Sequence, residues 1–325
     1  MRKLGFQGSM TKEKSARNKT IGLDGGQYAE FAARCVQFHS GMTASEIENK
    51  TIAGDSLAIM ECFPKEFVDL AIVDPPYNLS KKYGEKKFSR ISREQYSLYT
   101  KKWLLLLLPL LKKTASIYIC CDWRSSIAIA DVLSELEEEK QLFIRSRITW
   151  QREKGRGAKS NWKNSLEDIW FCTVSEHYVF NLESVKLRRK VIAPYRINGN
   201  PKGWTEGKTA AESFRDTCPG NFWDDISIPF WSMAENTAHP TQKPEKLIAK
   251  LILASSSEDD IVFDPFLGSG TTSVVARKLN RKYVGIEQNL QYCCWAEKRL
   301  EDAVKDRRIQ GYSSGVFWER NSFPK

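Results

Sequence analysis

Residues 68–77 read Val68-Asp-Leu-Ala-Ile-Val-Asp-Pro-Pro-Tyr77, and this segment is the strongest indication of the architecture. Its first six residues form a short apolar run of the kind that fills a parallel strand covered on both faces. Two prolines follow, which fix the backbone and remove two N–H donors. The polar surface at this strand end is therefore dominated by acceptors, chiefly the Asp74 carboxylate. We expect a buried strand that carries Asp74 and Tyr77 at its end.

Similar short runs recur along the chain, with helical stretches between them. The predicted strands are 68–73, 116–121, 261–266 and 282–286, and the predicted helices are 96–111, 125–136, 244–255 and 271–279. This alternation predicts an α/β fold built on a doubly wound sheet. The apolar run 103–111 lies between lysine pairs and is too short to span a membrane, so it is interpreted as part of a buried helix.

A second informative segment is Asp264-Pro-Phe-Leu-Gly-Ser-Gly-Thr-Thr272, in which a strand end passes through two glycines into a helix. Glycines let a ligand approach the backbone closely, although an ordinary strand-to-helix turn would also use them. No Gly-Lys-Ser/Thr follows Gly270, which excludes a P-loop, and Ser273 stands where the dinucleotide fingerprint needs its third glycine. Glu287 ends the next strand and can accept hydrogen bonds from both ribose hydroxyls of an adenosine-containing cofactor.

The acceptors at Asp74 suit chemistry on an amine. An exocyclic amine has protons to donate and a lone pair delocalised into its ring, and acceptors that take those protons favour a nitrogen that can attack a methyl group. Tyr77 offers a flat face on which an extruded base could stack. A strand that simply ends in a Pro-Pro turn with a buried tyrosine is the alternative.

Taken together, the segments resemble the amino-methyltransferases of DNA, in the class where the catalytic motif precedes the cofactor glycine motif. Asp74-Pro75-Pro76-Tyr77 resembles the catalytic tetrapeptide, 264–270 resembles the cofactor loop, and His239-Pro-Thr-Gln-Lys-Pro244 resembles the segment that leads into that loop. The resemblance covers about residues 52–300. It implies S-adenosylmethionine as the cofactor and a circularly permuted, Rossmann-like mixed sheet with a loop-rich insertion.

The resemblance also assigns roles to individual residues. The cofactor loop and the next strand end would contribute Asp264, Phe266, Gly268, Ser269, Gly270 and Glu287. Asp55 would hold the cofactor adenine, whereas Thr241 and Lys243 would lie near its methionine portion, where an ammonium can pair with a carboxylate. A surface aspartate in a turn and a solvated lysine are the alternatives for Asp55 and Lys243.

The net charge of +10 and the pI near 9.1 favour a polyanionic partner, because cations bound to phosphates release condensed counterions. Basic residues cluster in the loop after Tyr77 and in two stretches, 145–163 and 186–202, each of which could instead be a solvated face. The expected DNA-contacting residues are Lys81, Lys82, Lys154, Arg156, Lys159, Arg188 and Arg189.

We divide the chain into a mobile basic arm (1–49) with one short helix around residues 28–38, a catalytic and cofactor-binding α/β domain (50–181 and 237–309), a target-recognition insertion (182–236) and a C-terminal tail (310–325). Met1 and Met10 are both open as the natural first residue. The eight cysteines form no Cys-x-x-Cys pair and the three histidines are widely spaced, so we expect free thiols and no metal site.

The expected activity is methylation of the N6 amine of adenine in double-stranded DNA, with the target base flipped out, as part of a restriction-modification system. Within the resembling family, aspartate at the first motif position is more usual for adenine and serine for cytosine. N4-cytosine methylation and a non-catalytic DNA-binding regulator are the alternatives. Transfer to cytosine C5 needs a Pro-Cys pair, which the sequence lacks. A homodimer and a cognate endonuclease are open as partners, and a cytoplasmic location without membrane contact is expected.

Overall fold

The computed structural model describes residues 17–83, 86–152, 160–192, 194–208 and 212–320, with backbone alone for 81–83 and 86–88. The strands are β1 Lys50–Ala53, β2 Val68–Val73, β3 Lys81–Tyr83, β4 Lys86–Phe88, β5 Leu111–Cys121, β6 Phe143–Gln151, β7 Leu166–Thr173, β8 Leu187–Lys190, β9 Arg196–Ile197, β10 Asn200–Pro201, β11 Phe214–Thr217, β12 Phe222–Trp223, β13 Ile261–Asp264, β14 Lys282–Glu287, β15 Tyr312–Ser313 and β16 Val316–Trp318. The α-helices are α1 Gly25–Arg34, α2 Ala44–Ile47, α3 Ser56–Glu61, α4 Arg93–Leu107, α5 Trp123–Glu138, α6 Glu245–Ser255, α7 Thr271–Lys278 and α8 Leu290–Lys305.

The main sheet has eight strands in the order β1-β14-β13-β2-β5-β7-β6-β12. The first five are mutually parallel, whereas β7 runs antiparallel to both β5 and β6. The predicted mixed α/β sheet is confirmed. Since the strands ending at Val73, Asp264 and Glu287 are parallel neighbours, Asp74 and the cofactor loop leave the sheet at the same edge, where α/β folds bind ligands.

Helices cover both faces of this sheet and form two apolar cores. On β2, Ala71 and Val73 belong to one core, and Leu70 and Ile72 belong to the other. Helices α3, α4 and α5 contribute to the first core, and α6, α7 and α8 contribute to the second. A strand buried on both faces needs apolar residues at nearly every position, which explains the continuous run that predicted β2.

Helix α4 ends earlier than predicted. It begins after Ser92, which forms a capping box with Gln95, and after Leu107 the chain makes one 3-10 turn that contains Pro109. Proline cannot continue an α-helix interior, so β5 begins at Leu111 and is five residues longer than expected. In the part of the chain that the structure describes, no helix combines the length and apolarity required to cross a bilayer.

Residues 17–49 differ from the predicted mobile arm. Asp24 caps α1 with a capping box, and α1 packs against α8 with Phe31 only 2% exposed. Val36 bridges to Ile52 at the sheet edge, and Ile47 is fully buried. The packing of these apolar side chains was not evident from the polar, basic composition of this part of the chain.

The insertion and the C-terminal segment form a second, smaller sheet in the order β11-β8-β16-β15. The C-terminal strands therefore complete the insertion, and residues 312–318 do not form a separate tail. Asp225 of the insertion pairs with two lysines of α6, Lys246 (2.7 Å) and Lys250 (2.8 Å), in a buried cluster. Burial lowers the pKa of Lys250 to about 8. This cluster fixes the insertion to the main domain.

Candidate active site

A cavity of about 520 Å³ lies at the edge of the sheet where the parallel strands end. This volume is typical of sites for small molecules and cofactors. Its lining includes most of the residues predicted from both motifs: Asp74, Pro75, Pro76, Tyr77, Thr241, Lys243, Asp264, Phe266, Gly268, Ser269 and Glu287. Residues 74–77, 241–243, 264, 266–269 and 287, which lie far apart in the chain, thus line a single cavity.

The glycine loop has two positions that favour a residue without a side chain. Gly268 and Gly270 have positive φ angles of +56° and +84°. A Cβ at Gly270 would lie 2.5 Å from the Cβ of Ala296 on α8, and one at Gly268 would lie 3.1 Å from Nε2 of His239. The loop therefore packs tightly against α8 while its other side faces the cavity.

Two carboxylates hold this loop. Asp264 accepts hydrogen bonds from the Phe266 N–H (3.0 Å) and the Thr272 hydroxyl (2.6 Å), and burial raises the pKa of Asp264 to about 7. Glu287 accepts from the N–H groups of Gly268 (3.0 Å) and Asn289 (2.7 Å). Glu287 also lines the cavity, so its carboxylate lies where a ribose could reach it.

The Asp74 carboxylate is hydrogen-bonded at both oxygens. Its Oδ1 accepts from the Tyr77 hydroxyl at 2.9 Å, and its Oδ2 accepts from the Lys243 ammonium at 2.6 Å. Burial, followed by the charge of Asp74, raises the pKa of Tyr77 well above its ordinary value. The Tyr96 hydroxyl donates to the Pro76 carbonyl at 3.1 Å, which fixes the proline turn against α4.

Lys243 lies beside Asp74 and Tyr77 at the cavity wall, contacts that the sequence did not predict, and its role at the methionine portion of the cofactor stays a prediction. Its Nζ also lies 3.1 Å from the Tyr77 hydroxyl and 3.5 Å from the Glu167 carboxylate. Burial alone would lower the pKa of Lys243, but Asp74 and Glu167 outweigh burial and raise it above the ordinary value. The buried ammonium therefore remains charged.

Glu167 was not predicted from the sequence. Its side chain is 5% exposed, and its second oxygen accepts a hydrogen bond from the Arg152 guanidinium. It lies on β7, where residues 167, 169 and 171 alternate as buried positions. A carboxylate at an inward position of an alternating strand was the one signal that could have identified it.

Asp55, predicted to hold the cofactor adenine, caps helix α3. Its carboxylate accepts from the N–H groups of Leu57 (3.0 Å) and Ala58 (3.1 Å). The preceding Gly54 donates to the Glu287 carbonyl at 3.0 Å, so Asp55 follows the strand next to β14. It does not line the cavity, and neither does Gly270. The adenine-binding role of Asp55 stays a prediction.

The predicted DNA-contacting residues are only partly described. The backbone of Lys81 and Lys82 lies on β3, and Lys154, Arg156 and Lys159 lie outside the described residues. Arg188 forms two hydrogen bonds to Asp216 (2.8 and 2.7 Å) and lies 3.8 Å over the Phe214 ring. The Nε of Arg189 lies 3.9 Å from Glu319. The guanidinium of Arg188 thus stabilises the small sheet, which sequence reasoning did not anticipate.

Comparison with known proteins agrees with this architecture. A family model described as DNA methylase matches residues 68–298. The DNA adenine methyltransferase YhdJ of Escherichia coli (strain K12) is 35% identical over 268 residues, covering 79% of this chain and 84% of that protein. The type II methyltransferase M.HpaI of Haemophilus parainfluenzae is 31% identical, over 82% of this chain and 77% of that protein.

Solved structures share the fold. The cytosine-N4-specific PvuII DNA methyltransferase aligns with a TM-score of 0.55 at 20% identity, over 79% of this chain and 91% of that one. A DNA modification methylase of Thermus thermophilus, TTHA0409, solved as a complex with S-adenosylmethionine, aligns with a TM-score of 0.52 at 17% identity, over 83% and 98% of the two chains. Fold and site together define a methyltransferase of the α/β type. The chain belongs to the DNA methylase family.

Proposed function

We propose that this protein transfers a methyl group from S-adenosylmethionine to the N6 amine of adenine in double-stranded DNA. The observation that carries this proposal is that one cavity contains both the Asp74 carboxylate and the glycine loop. Direct methyl transfer requires that the group which holds the target amine lies next to the loop which holds the methyl donor. A base inside a duplex cannot reach such a cavity, so the target base would be flipped out.

The lining residues fit this cofactor. S-adenosylmethionine would supply a methyl group bonded to a positively charged sulfur. Glu287 would accept hydrogen bonds from its ribose hydroxyls, because the carboxylate ends β14 at the cavity wall. Gly268 has no side chain, so a ligand can approach the backbone of the loop directly at this position. Asp55 at the adenine and Thr241 at the methionine portion complete the proposed cofactor contacts.

Asp74 would orient the target amine by accepting hydrogen bonds from its N–H groups, and Tyr77 would stack on the base. When bound, S-adenosylmethionine would supply the methyl group to the lone pair of the amine nitrogen, and its sulfur would keep the electron pair of the carbon–sulfur bond. The methylated nitrogen then loses one proton toward Asp74, which passes it to solvent. Pro75 and Pro76 keep this strand end rigid, since both restrict the backbone.

Adenine is favoured over cytosine by two observations. The catalytic motif begins with aspartate, and YhdJ, named as a DNA adenine methyltransferase, is 35% identical to this chain. The structural likeness to the cytosine-N4-specific PvuII enzyme, at 20% identity, supports only the shared fold. N4 of cytosine is the second candidate.

We further propose a role in restriction-modification, because M.HpaI is named as a type II methyltransferase. A cognate endonuclease and a second copy of this chain are the partners to seek. A DNA substrate also favours a cytoplasmic location.

Incubation of the protein with methyl-labelled S-adenosylmethionine and genomic duplex DNA tests the proposal. Label in the DNA is the expected result. A protein that binds DNA and S-adenosylmethionine but leaves the DNA unlabelled would instead be a non-catalytic regulator.

A further inference from the structure

The active site contains a second buried carboxylate that the proposed chemistry does not yet use. We infer that Glu167 is a positioning residue, which acts on Asp74 through the shared ammonium of Lys243. This inference rests on the proposed methyl transfer and adds a residue to it.

The contacts place Lys243 between two carboxylates. Its Nζ lies 2.6 Å from Asp74 Oδ2 and 3.5 Å from Glu167 Oε2. The Tyr77 hydroxyl lies between the same groups, 2.9 Å from Asp74 and 3.4 Å from Glu167. The four groups come from the end of β2, from β7 and from the segment before α6, so the contacts join three parts of the fold.

Charge balance explains how Glu167 can be buried beside Asp74. The side chains of Lys243 and Glu167 are 7% and 5% exposed, so neither charge is compensated by bulk water. The second oxygen of Glu167 binds the Arg152 guanidinium, which makes the whole set of two carboxylates and two cations neutral. Arg152 thereby lets Glu167 stay buried next to Asp74.

Sharing the ammonium preserves the acceptor function of Asp74. If Lys243 had only Asp74 as a partner, its full charge would compete with the target amine for the carboxylate oxygens. Glu167 attracts the ammonium in a different direction and holds it at a fixed place. Asp74 can then accept a proton from the substrate amine while Lys243 remains bound beside it.

The groups that face the Lys243 ammonium come from three neighbouring strands. They are Asp74 and Tyr77 after β2, Cys120 on β5 and Glu167 on β7, with Arg152 behind Glu167. Burial raises the pKa of Cys120 well above its ordinary value, so the thiol is neutral. Glu167 raises the pKa of Lys243, and removal of its charge must therefore lower that pKa.

The test uses Glu167→Gln, which keeps the shape of the side chain and removes its charge. We expect kcat for DNA methylation to fall by about tenfold to a hundredfold, the range for loss of a charged partner. S-adenosylmethionine affinity should change by less than about twofold, because Glu167 is not part of the cofactor loop. Asp69→Asn is the matched control: Asp69 pairs with Lys112 at 2.8 Å at the other end of β2, and its loss should leave kcat unchanged.

A double-mutant cycle with Lys243→Met separates positioning from a purely structural role. If Glu167 acts through Lys243, Glu167→Gln should cost little further rate in the Lys243→Met background. Equal costs in both backgrounds, or loss of cofactor affinity in parallel with kcat, would overturn the inference.

A further readout needs no methyl acceptor and so distinguishes failure of this inference from failure of the proposed function. The Lys243 Nζ resonance of isotope-labelled protein is compared by NMR at neutral pH in the wild type, in Glu167→Gln and in Arg152→Gln. Glu167→Gln should shift this resonance, because the ammonium loses one of its two carboxylate partners, and Arg152→Gln should shift it less. An identical Lys243 resonance in Glu167→Gln and the wild type would contradict the inference even if DNA is methylated.

Discussion

Asp74 has both carboxylate oxygens occupied before any substrate binds, one by Tyr77 and one by Lys243. Each carboxylate oxygen can still accept a second hydrogen bond, so the target amine can join these contacts without displacing them. The site is therefore organised in advance for an amine, which is how enzymes stabilise charge that develops during a reaction.

Replacing Asp74 with alanine should reduce methyl transfer by several orders of magnitude while S-adenosylmethionine binding is largely kept. The reason is that Asp74 acts on the amine in the transition state and not on the cofactor. Single-turnover kinetics and calorimetry on the same preparation measure the two effects. Near-normal turnover of the variant would remove Asp74 from the mechanism.

The sequence singled out Asp74, Tyr77 and Glu287 because they lie at or just after the ends of apolar strands, and the structure brings all three to one cavity. It did not identify Glu167, whose partners Arg152 and Lys243 lie 15 and 76 positions away in the chain. No local pattern encodes a contact that depends on how three segments fold together. The contacts of Lys243 with Asp74 and Glu167 were not predicted, for the same reason.

Among the elements, those buried on both faces were the most predictable. Strands β2, β13 and β14 are mainly apolar, and α7 and α8 follow β13 and β14 after short loops. Strand β6 was instead interpreted as the beginning of a basic stretch, because Arg145 and Arg147 lie on it. Arg145 stacks over Tyr178 and donates to the Thr173 hydroxyl at 2.9 Å, so a partly exposed strand carries these charges.

The loop between β13 and α7 should be sensitive to the addition of a single side-chain methyl group. Gly270→Ala places a Cβ 2.5 Å from Ala296 and should displace the loop, which weakens S-adenosylmethionine binding. Gly199→Ala is the control, because Gly199 has a similar φ of +80° but nothing within 4 Å of an added Cβ. Calorimetry compares the two folded variants. Equal affinities would show that the loop does not contact the cofactor.

At the scale of the whole molecule, the charge of +10 predicts a steep salt dependence of DNA binding. Neutralising Lys154, Arg156 and Lys159 together should reduce the slope of log affinity against log salt by roughly one unit per lost phosphate contact. Binding is measured by fluorescence anisotropy at several salt concentrations.

The control for this experiment is Lys282→Gln. Lys282 begins β14, at the edge of the sheet opposite the cavity, and pairs with Glu48 at 2.9 Å, so this variant should leave the slope unchanged. If the slope is the same in the triple variant and the wild type, the predicted basic stretch faces solvent and does not bind phosphates.

The identity of the methylated nucleoside is the most direct test of the proposed function. DNA treated with the protein and S-adenosylmethionine is digested to nucleosides, which are separated and identified by mass spectrometry, with Asp74→Ala as the inactive control. We predict N6-methyldeoxyadenosine that is absent from the control. N4-methyldeoxycytidine alone would contradict the assignment to adenine, and 5-methyldeoxycytidine or no modified nucleoside at all would contradict methylation of an exocyclic amine.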